Sequence, residues 1–197
     1  MGRRRKITDA KTNVVTFDYN AAGSLTSLVD AKTNQTRWGY DVFGRLKERI
    51  DAANNTVLRF NYDAASRLTN RWSAAKGHIG FGYDTAGNLT GINYTNTAAD
   101  PDIRFQYDAL NRLTNMVDLY SALFSTSNPA AYPTVFSYTS FGALRTENGP
   151  LANDTITYDY YTNHLRSAVS VLQNSGTNWT QQFGYDAARR LDIVGSP

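Results

Sequence analysis

The nine residues Trp38-Gly39-Tyr40-Asp41-Val42-Phe43-Gly44-Arg45-Leu46 carry the pattern that decides the fold. Trp38 and Tyr40 are two residues apart, so on a β-strand both side chains project from the same face of the sheet. Asp41 is placed to accept backbone N–H groups across a turn, and Gly44 supplies the positive φ that such a turn requires. Leu46 then returns to the apolar face. The stretch therefore predicts a β-hairpin.

The pattern aromatic-x-Tyr-Asp-x-x-Gly-x-Leu recurs about eight times along the chain. The first four motif tyrosines are 21, 22 and 21 residues apart, a period that fits one hairpin and its return strand. In the seventh copy, which begins at Ile156, the turn is expected to be one residue longer and to end at Leu165. Ser66 and Arg189 stand at the glycine position, which predicts strained turns or turns of another type. The motif residues are Tyr19, Gly23, Tyr40, Asp41, Gly44, Tyr62, Asp63, Tyr83, Asp84, Gly87, Tyr107, Asp108, Asn111, Tyr138, Gly142, Tyr158, Asp159, Tyr185 and Asp186.

A second turn separates consecutive motifs. The stretches 9–13, 30–34 and 51–55 are near copies of the form Asp-Ala-x-x-Asn, and each is followed by residues of high β-propensity. Each repeat thus reads as strand, turn, strand, turn. The sequence predicts an all-β protein in which tandem hairpins form one continuous, curved or spiralling antiparallel sheet of roughly sixteen short strands.

The composition supports this fold and removes several classes of site. Of 17 acidic residues only Glu48 and Glu147 are glutamate, and a bias toward Asp, Asn and Thr favours turns and strands over helices. The chain has no cysteine and two histidines, which excludes disulfides, thiolate metal sites and a cysteine nucleophile. His78 and His164 are expected to be surface loop residues. We expect no metal and no cofactor.

The positive charge is concentrated at the start of the chain. Arg3, Arg4, Arg5 and Lys6 contribute +4 to a net charge of +3, so the remaining residues sum to −1. Residues 1–6 are therefore expected to form a basic tail that is solvated or touches phosphates, followed by the repeat array over 7–194 and a short end, 195–197. A nucleic-acid partner is not expected, because no face collects lysine and arginine.

Membrane insertion and secretion signals are also not expected. No run of 18 apolar residues occurs, and the basic start is not followed by the apolar segment of a secretory signal. The segment 116–133 breaks the period and is expected to be either an extended hairpin that covers a sheet edge or an interaction loop.

The repeated aspartates allow two interpretations. Paired carboxylates could hydrolyse glycosides, but a residue at a fixed offset from every turn glycine is better explained as a turn cap. Several arginines are expected to stack on neighbouring tyrosines; they are Arg145, Arg166 and the motif arginines Arg45, Arg67, Arg112 and Arg190. We therefore expect no enzymatic activity.

These motifs resemble the YD-repeat or Rhs-repeat family, whose consensus is close to Gly-x-x-x-Arg-Tyr-x-Tyr-Asp-x-x-Gly-Arg-Leu. Residues 37–46 match it with Trp38 in place of the first tyrosine. The resemblance implies a spiralling β-sheet that closes into a shell around a polypeptide cargo, in bacterial toxin proteins and in animal teneurins. The family's Asp-Pro-x-Gly cleavage signature is absent, because Asp100-Pro101 is followed by Asp102 and Ile103.

The resemblance leads to one functional expectation and one alternative. We expect a structural scaffold, secreted or at the cell surface, whose partners are a polypeptide cargo or the neighbouring repeats of a longer protein. The alternative is an adhesin-like module that presents tyrosines and polar turns to carbohydrate. Burial of the motif tyrosines distinguishes the two, because sugar stacking requires exposed rings.

Overall fold

The computed structural model describes residues 2–94, 103–118, 133–151, 153–172 and 179–195, and these contain strands but no helix. The strands are β1 (Lys6–Thr8), β2 (Val14–Tyr19), β3 (Leu25–Val29), β4 (Gln35–Tyr40), β5 (Leu46–Ile50), β6 (Thr56–Tyr62), β7 (Leu68–Ser73), β8 (Gly77–Tyr83), β9 (Leu89–Tyr94), β10 (Ile103–Tyr107), β11 (Leu113–Asp118), β12 (Thr134–Tyr138), β13 (Leu144–Asn148), β14 (Ile156–Tyr160), β15 (Arg166–Val171), β16 (Trp179–Tyr185) and β17 (Leu191–Gly195).

The strands belong to an antiparallel sheet in which they pair with their neighbours in sequence. The chain divides into two compact units, residues 1–82 with 93–98, and residues 83–92 with 99–197. In the first unit the pairing runs in order from β1 to β8. In the second it runs from β9 to β17. The all-β antiparallel fold expected from the repeats is confirmed.

The motif hairpins other than β8–β9 carry the same register shift beside their turns. In the β4–β5 hairpin Gly39 pairs with Glu48 but Tyr40 pairs with Leu46, so one residue of β5 is left as a bulge. The same shift occurs immediately before Tyr19, Tyr62, Tyr107, Tyr138 and Tyr185. A three-residue loop that ends in a left-handed residue produces this bulge, so turn type and register are set together.

One face of the sheet carries the motif aromatic side chains. On β6, Leu58, Phe60 and Tyr62 are half-buried, whereas Arg59 and Asn61 between them are exposed. The alternation follows from the two-residue period of a strand.

The aromatic face also contains charged residues, because directly paired residues share a face of the sheet. Trp38 pairs with Arg49, Phe60 with Arg71 and Phe136 with Glu147. Among the described residues no large side chain is fully buried, so the aromatic side chains are not enclosed in a core.

The segment 116–133, which breaks the period of the repeats, is described only at its two ends. Met116–Asp118 completes β11, and its register with β12 places Met116 opposite Thr134. Residues 119–132, on which the expectation of an edge-covering hairpin or an interaction loop rests, lie outside the described residues.

Candidate functional site at the edge formed by the Tyr-Asp turns

We call the five residues that follow each motif tyrosine the Tyr-Asp turn. In residues 41–45 the Asp41 backbone N–H donates to the Arg45 carbonyl at 2.9 Å, and the Gly44 N–H donates to the Asp41 carbonyl at 3.0 Å. The Asp41 carboxylate accepts the Phe43 and Arg45 backbone N–H groups at 3.0 and 2.9 Å. The carboxylate thus serves as the cap of the turn.

The turn persists where the aspartate or the glycine is replaced. Asn20 and Thr139 accept the same backbone N–H group through a side-chain oxygen, at 2.8 and 3.0 Å. Ser66 and Arg189 have φ values of 65° and 62° and make the same backbone hydrogen bonds as Gly44. The alternative of a different turn type at these two positions is therefore wrong. The left-handed residues of the eight turns are Gly23, Gly44, Ser66, Gly87, Asn111, Gly142, His164 and Arg189.

The structure corrects the seventh motif. The register shift of the β14–β15 hairpin lies between Asp159 and Tyr160, and Tyr160 pairs with Arg166. Tyr160, and not Tyr158, is therefore the motif tyrosine. Asp159 lies on β14 as an exposed strand residue opposite Ala168, and Tyr161 occupies the position of the turn aspartate. The turn has the same length as the others. Tyr158-Asp159 has the residue types of the Tyr-Asp pair but not its place in the hairpin. The sequence pattern therefore places the motif two residues too early.

Aromatic contacts surround this corrected turn. The exposed His164 ring stacks on Phe141 with centroids 4.2 Å apart, and Phe141 meets Tyr160 edge-on at 5.4 Å. The Tyr161 hydroxyl donates to the Phe183 carbonyl at 2.9 Å. His164 is thus a surface turn residue, as expected. His78 is exposed but lies on β8 and contacts Asn70 at 3.0 Å, so its assignment to a loop is wrong.

Five motif tyrosines join their repeat to the one before it. The Tyr40 hydroxyl donates to the Leu25 carbonyl at 2.8 Å, and the Tyr62 hydroxyl donates to the Leu46 carbonyl at 2.9 Å. In the second unit the donor–acceptor pairs are Tyr107–Leu89, Tyr138–Leu113 and Tyr160–Leu144, at 2.9, 2.7 and 2.7 Å. The acceptor is in each case the first residue after the preceding turn. The sequence places the ring but not the partner of its hydroxyl, so this contact was not predicted.

The last residue of a Tyr-Asp turn, which directly precedes the acceptor leucine, makes a second contact between repeats. The Arg45 guanidinium lies 4.6 Å from the centre of the Tyr62 ring and donates to the Asp63 carbonyl and the Ser66 hydroxyl at 3.2 and 3.1 Å. Arg112 lies 4.4 Å from the centre of the Tyr138 ring. Asn88 reaches the next turn through a 2.8 Å hydrogen bond to Asn111. Arginine stacking is confirmed at Arg45 and Arg112.

The basic start of the chain takes part in the same contacts. The Tyr19 hydroxyl donates to the Arg4 carbonyl at 3.1 Å, and the Arg3 guanidinium lies 5.8 Å from the centre of the Tyr19 ring. Arg3 and Arg4 thus hold the positions that Arg45 and Leu46 hold toward Tyr62. The Phe17 N–H donates to the Arg5 carbonyl at 2.9 Å, and β1 begins at Lys6. Residues 3–6 are exposed, as expected of a solvated segment, but they make the contacts of a repeat and Lys6 begins β1.

The repeated carboxylates are held by their own turns. Asp63 forms a 2.7 Å ion pair with Arg67, and hydrogen bonds from the Arg67 backbone and side chain lower the pKa of Asp63. The Arg112 side chain, followed by its backbone, lowers the pKa of Asp108 in the same way. The Asn88 side chain lowers the pKa of Asp84. A general acid needs a raised pKa, so this pattern favours caps over glycosidase carboxylates.

The turns between motifs lie at the opposite ends of the strands and repeat the geometry of the Tyr-Asp turns. Asp9 accepts the Lys11 and Asn13 backbone N–H groups at 2.8 Å each, and Asp30 accepts the Lys32 and Asn34 N–H groups at 2.8 and 2.9 Å. The left-handed position is held by Thr12, Thr33 and Asn54. At this end of the strands Arg37 donates to the side-chain oxygen of Asn54 in the next turn, but among the described residues no tyrosine–carbonyl contact between repeats occurs there.

The described part of the chain contains neither a metal-binding cluster nor a membrane-spanning helix. No group of three or more His, Cys, Asp or Glu side chains is arranged to hold a metal ion. Nor do the described residues include a helix with the length and apolar character needed to cross a membrane.

Comparison with known proteins identifies the repeat. The RHS Repeat family model matches residues 19–56, 40–71 and 83–119. The fold is similar to solved structures of the TcdB2-TccC3-Cdc42 complex, with a TM-score of 0.72 and 17% identity, and of TcdB2-TccC3 without its hypervariable C-terminal region, with 0.71 and 16%. Each match covers 92% of this chain but 10% of the other, so the chain spans about a tenth of their length.

No curated protein matches the sequence. The family match and the structural likeness do not point to a carbohydrate ligand. The matched motifs are the ones whose tyrosines, arginines and turns connect the hairpins. The chain therefore carries RHS repeats over residues 19–71 and 83–119 and folds as a structural repeat scaffold of that type.

Proposed function

We propose that the chain forms part of the wall of a shell that encloses a polypeptide cargo, in a secreted or cell-surface protein of the RHS type. The observation that carries the proposal is the repeated contact from a motif tyrosine to the carbonyl of the preceding repeat. Such a contact links hairpins side by side and leaves the faces of the sheet available. A wall requires this property, and a catalytic cleft does not.

The chemistry of the turns favours a wall over a ligand site. The side chains that would recognise a sugar or activate water are engaged within their own turns, as Asp41 with Arg45 and Asp108 with Arg112 show. The motif tyrosines direct their hydroxyls to backbone carbonyls and are half-buried, which removes them from the stacking role that carbohydrate binding needs.

The aromatic face is the side proposed to contact the cargo. Its rings are half-buried and alternate with single charged residues such as Arg49 and Arg71, whereas on β6 the other face presents Arg59 and Asn61, both exposed. An extended polypeptide gains more from covering apolar surface than from desolvating charges. The likeness to TcdB2-TccC3 over about 10% of that chain supports a role as one segment of a larger wall.

Single-cysteine variants test this proposal, because the chain contains no cysteine of its own. Val15 lies on the aromatic face of β2, two residues before Phe17, and Asp18 is exposed on the opposite face. Val15→Cys and Asp18→Cys would each carry a thiol-linked photo-crosslinker in the protein expressed from its natural gene. Mass spectrometry of the adducts should show one recurrent polypeptide segment attached at position 15 and absent at position 18.

Two results would contradict the proposal. One is the absence of polypeptide adducts at both positions when the labelled protein is folded by circular dichroism. The other is a recurrent polypeptide attached only at position 18, which would place the cargo on the polar face. A glycan adduct at position 15 would instead support the carbohydrate-binding alternative.

A further inference from the structure

The five strands β4 to β8 distribute their charge unevenly between the two faces of the sheet. Glu48 is the only acidic residue within these strands. It pairs directly with Arg59, so on the face opposite the motif rings an acid and a base lie side by side. On the same five strands the aromatic face holds Arg49 and Arg71 and no acid. This face therefore presents positive charge that no carboxylate of the five strands offsets.

The two arginines of the aromatic face, Arg49 and Arg71, have no acidic partner. Among the described residues neither of them forms an ion pair. The Nε atom of Arg71 is buried without a hydrogen-bond partner in the described part of the chain. Buried N–H groups normally have a partner, and a charged group that lacks one is costly. Each arginine has an apolar neighbour on both adjacent strands; these are Trp38 and Leu58 for Arg49, and Phe60 and Ile79 for Arg71.

The spacing of the two arginines determines what could bind both of them. Arg49 and Arg71 lie on either side of β6, and the residues of β6 with which they pair, Leu58 and Phe60, are two positions apart. A strand spacing of about 4.8 Å and a rise of about 3.4 Å per residue place the two arginine Cα atoms roughly 12 Å apart. In an extended peptide, side chains four residues apart project from the same face at a separation of about 13 Å. The side chain midway between them would meet Leu58 and Phe60.

We propose that the aromatic face of β4 to β8 binds an extended acidic segment of a polypeptide, in which two carboxylates four residues apart flank an apolar residue. One carboxylate accepts hydrogen bonds from the Arg49 guanidinium and the other from the Arg71 guanidinium, in the planar geometry that arginine and carboxylate share. The apolar residue between them packs on Leu58 and Phe60. The inference rests on the proposed function, because it specifies the chemistry of the cargo that this face contacts.

A nucleic acid, the other common anionic polymer, fits this face less well. Two arginines neutralise few phosphates, whereas nucleic-acid affinity comes mainly from many such contacts. Base stacking also needs exposed ring faces, and the motif rings Trp38 and Phe60 are half-buried. Charge complementarity at two points with an apolar contact between them favours a peptide.

Fluorescence anisotropy of a labelled peptide with the core Glu-Thr-Leu-Thr-Glu, titrated with the full chain, tests the inference. We expect saturable binding that weakens as salt is added. Arg49→Gln and Arg71→Gln should each weaken binding about threefold to tenfold, as expected for one lost charge-assisted contact. Arg59→Gln is the matched control, because it removes an exposed arginine from the opposite face and should leave binding unchanged. Peptides with glutamine for both glutamates, or with the glutamates two residues apart, should bind more weakly.

Circular dichroism shows whether each variant is folded. Arg49 is exposed, so Arg49→Gln carries the test on its own if Arg71→Gln impairs folding. Tighter binding of a short oligothymidylate than of the peptide, lost in the same two variants, would assign the face to nucleic acid and overturn the inference.

The remaining outcomes separate this inference from the proposed function. Equal binding of the glutamate and glutamine peptides would overturn the acidic preference and leave a polypeptide-binding face intact. Absence of peptide binding to the folded chain would overturn the inference alone, since the adducts at position 15 test the cargo independently. Binding that Arg59→Gln abolishes, and that Arg49→Gln and Arg71→Gln leave unchanged, would place the peptide on the opposite face and contradict both.

Discussion

The Tyr40 hydroxyl donates a 2.8 Å hydrogen bond to the carbonyl of Leu25, a residue fifteen positions earlier that belongs to the preceding repeat. Leu25 pairs with Tyr19 in its own hairpin, but the register between β3 and β4 ends at Ser27 and Arg37 and does not reach Leu25. The motif tyrosine therefore satisfies a backbone carbonyl that the pairing between the two hairpins does not use. It extends the contact between hairpins beyond their last paired residues.

Tyr40→Phe should lower the free energy of unfolding by about 0.5–1.5 kcal/mol, because it removes this hydrogen bond and keeps the ring. Tyr185→Phe is the matched control. Tyr185 holds the same motif position, but its hydroxyl has no hydrogen-bond partner among the described residues, and it contacts Tyr161 edge-on at 6.5 Å. Urea denaturation of the two variants should therefore separate them. Equal loss in both would show that the ring, and not the hydroxyl, connects the repeats.

Gly44 allows backbone strain to be measured without a steric contribution. Its φ is 79°, and a Cβ atom placed there meets no atom within 4 Å. Gly44→Ala should therefore cost about 1–2 kcal/mol through the left-handed backbone alone, and Gly44→Asn should cost less. Gly44→Val should be the most destabilising of the three because of its branched side chain. Thermal denaturation of the series that gave equal midpoints would contradict the assignment of a left-handed turn residue.

Arg189 offers the reverse experiment. Its φ is 62°, so Arg189→Gly should raise the free energy of unfolding by about 1 kcal/mol. Ala188→Gly in the same turn is the control, since Ala188 is not among the residues of positive φ and glycine there adds only unfolded-state entropy. Stabilisation by Ala188→Gly equal to that by Arg189→Gly would point to a general loosening of the turn.

Arg45→Ala should destabilise the protein by about 1–2 kcal/mol, through the partly exposed ion pair with Asp41 and the cation–π contact with Tyr62. Arg190→Ala removes a corresponding ion pair but no contact with a following repeat, and should cost less. A double-mutant cycle of Arg45→Ala with Tyr62→Leu measures the contact between repeats directly. A coupling energy of zero would show that Arg45 acts only within its own turn.

The turn aspartates predict how stability depends on pH. The pKa values of Asp9, Asp30, Asp63, Asp84, Asp108 and Asp186 are lowered from 3.8 chiefly by hydrogen bonds within their turns. For Asp41 burial opposes the shift, but the Arg45 backbone and side chain outweigh it. A lowered folded-state pKa adds stability that is complete above the unfolded value and is lost as pH falls through the folded value.

The urea midpoint should therefore be constant from neutral pH down to about pH 5 and fall below about pH 4. Asp63→Asn should make the acid loss smaller, because Asn20 shows that an amide oxygen caps the same turn. A midpoint that fell already between pH 7 and pH 5, or an acid loss that Asp63→Asn left unchanged, would disagree with this account.

Much of the fold could be predicted because the residue spacing within each repeat determines the local backbone geometry. The aromatic-x-Tyr spacing predicted the strand face, and the offset from Asp41 to Gly44 predicted the turn, since both are local rules of the backbone. The contacts between repeats could not be predicted in the same way. The direction of the Tyr40 hydroxyl depends on which carbonyl the pairing between hairpins leaves without a strand partner, and that carbonyl lies in another hairpin.

Two local features of the sequence point to the arrangement that the structure shows. Tyr158-Asp159-Tyr160 also fits aromatic-x-Tyr, and a strand that continues to Tyr160 gives the seventh turn its normal length. Arg4 precedes Tyr19 by fifteen residues, as Leu25 precedes Tyr40, although its charge conceals its place in the repeat. In both cases position in the repeat was a better guide than residue type.

The connections at the two ends of the strands differ in how much their lengths vary. All eight Tyr-Asp turns span five residues, whereas the opposite connections range from three residues, 74–76, to fifteen, 119–133. A tyrosine must meet a carbonyl of the preceding repeat at one edge, so an insertion there would separate the pair. The other edge carries no such requirement. Evolution can therefore lengthen and diversify loops along one margin of the protein while the spacing of the hairpins, set at the other margin, is inherited unchanged.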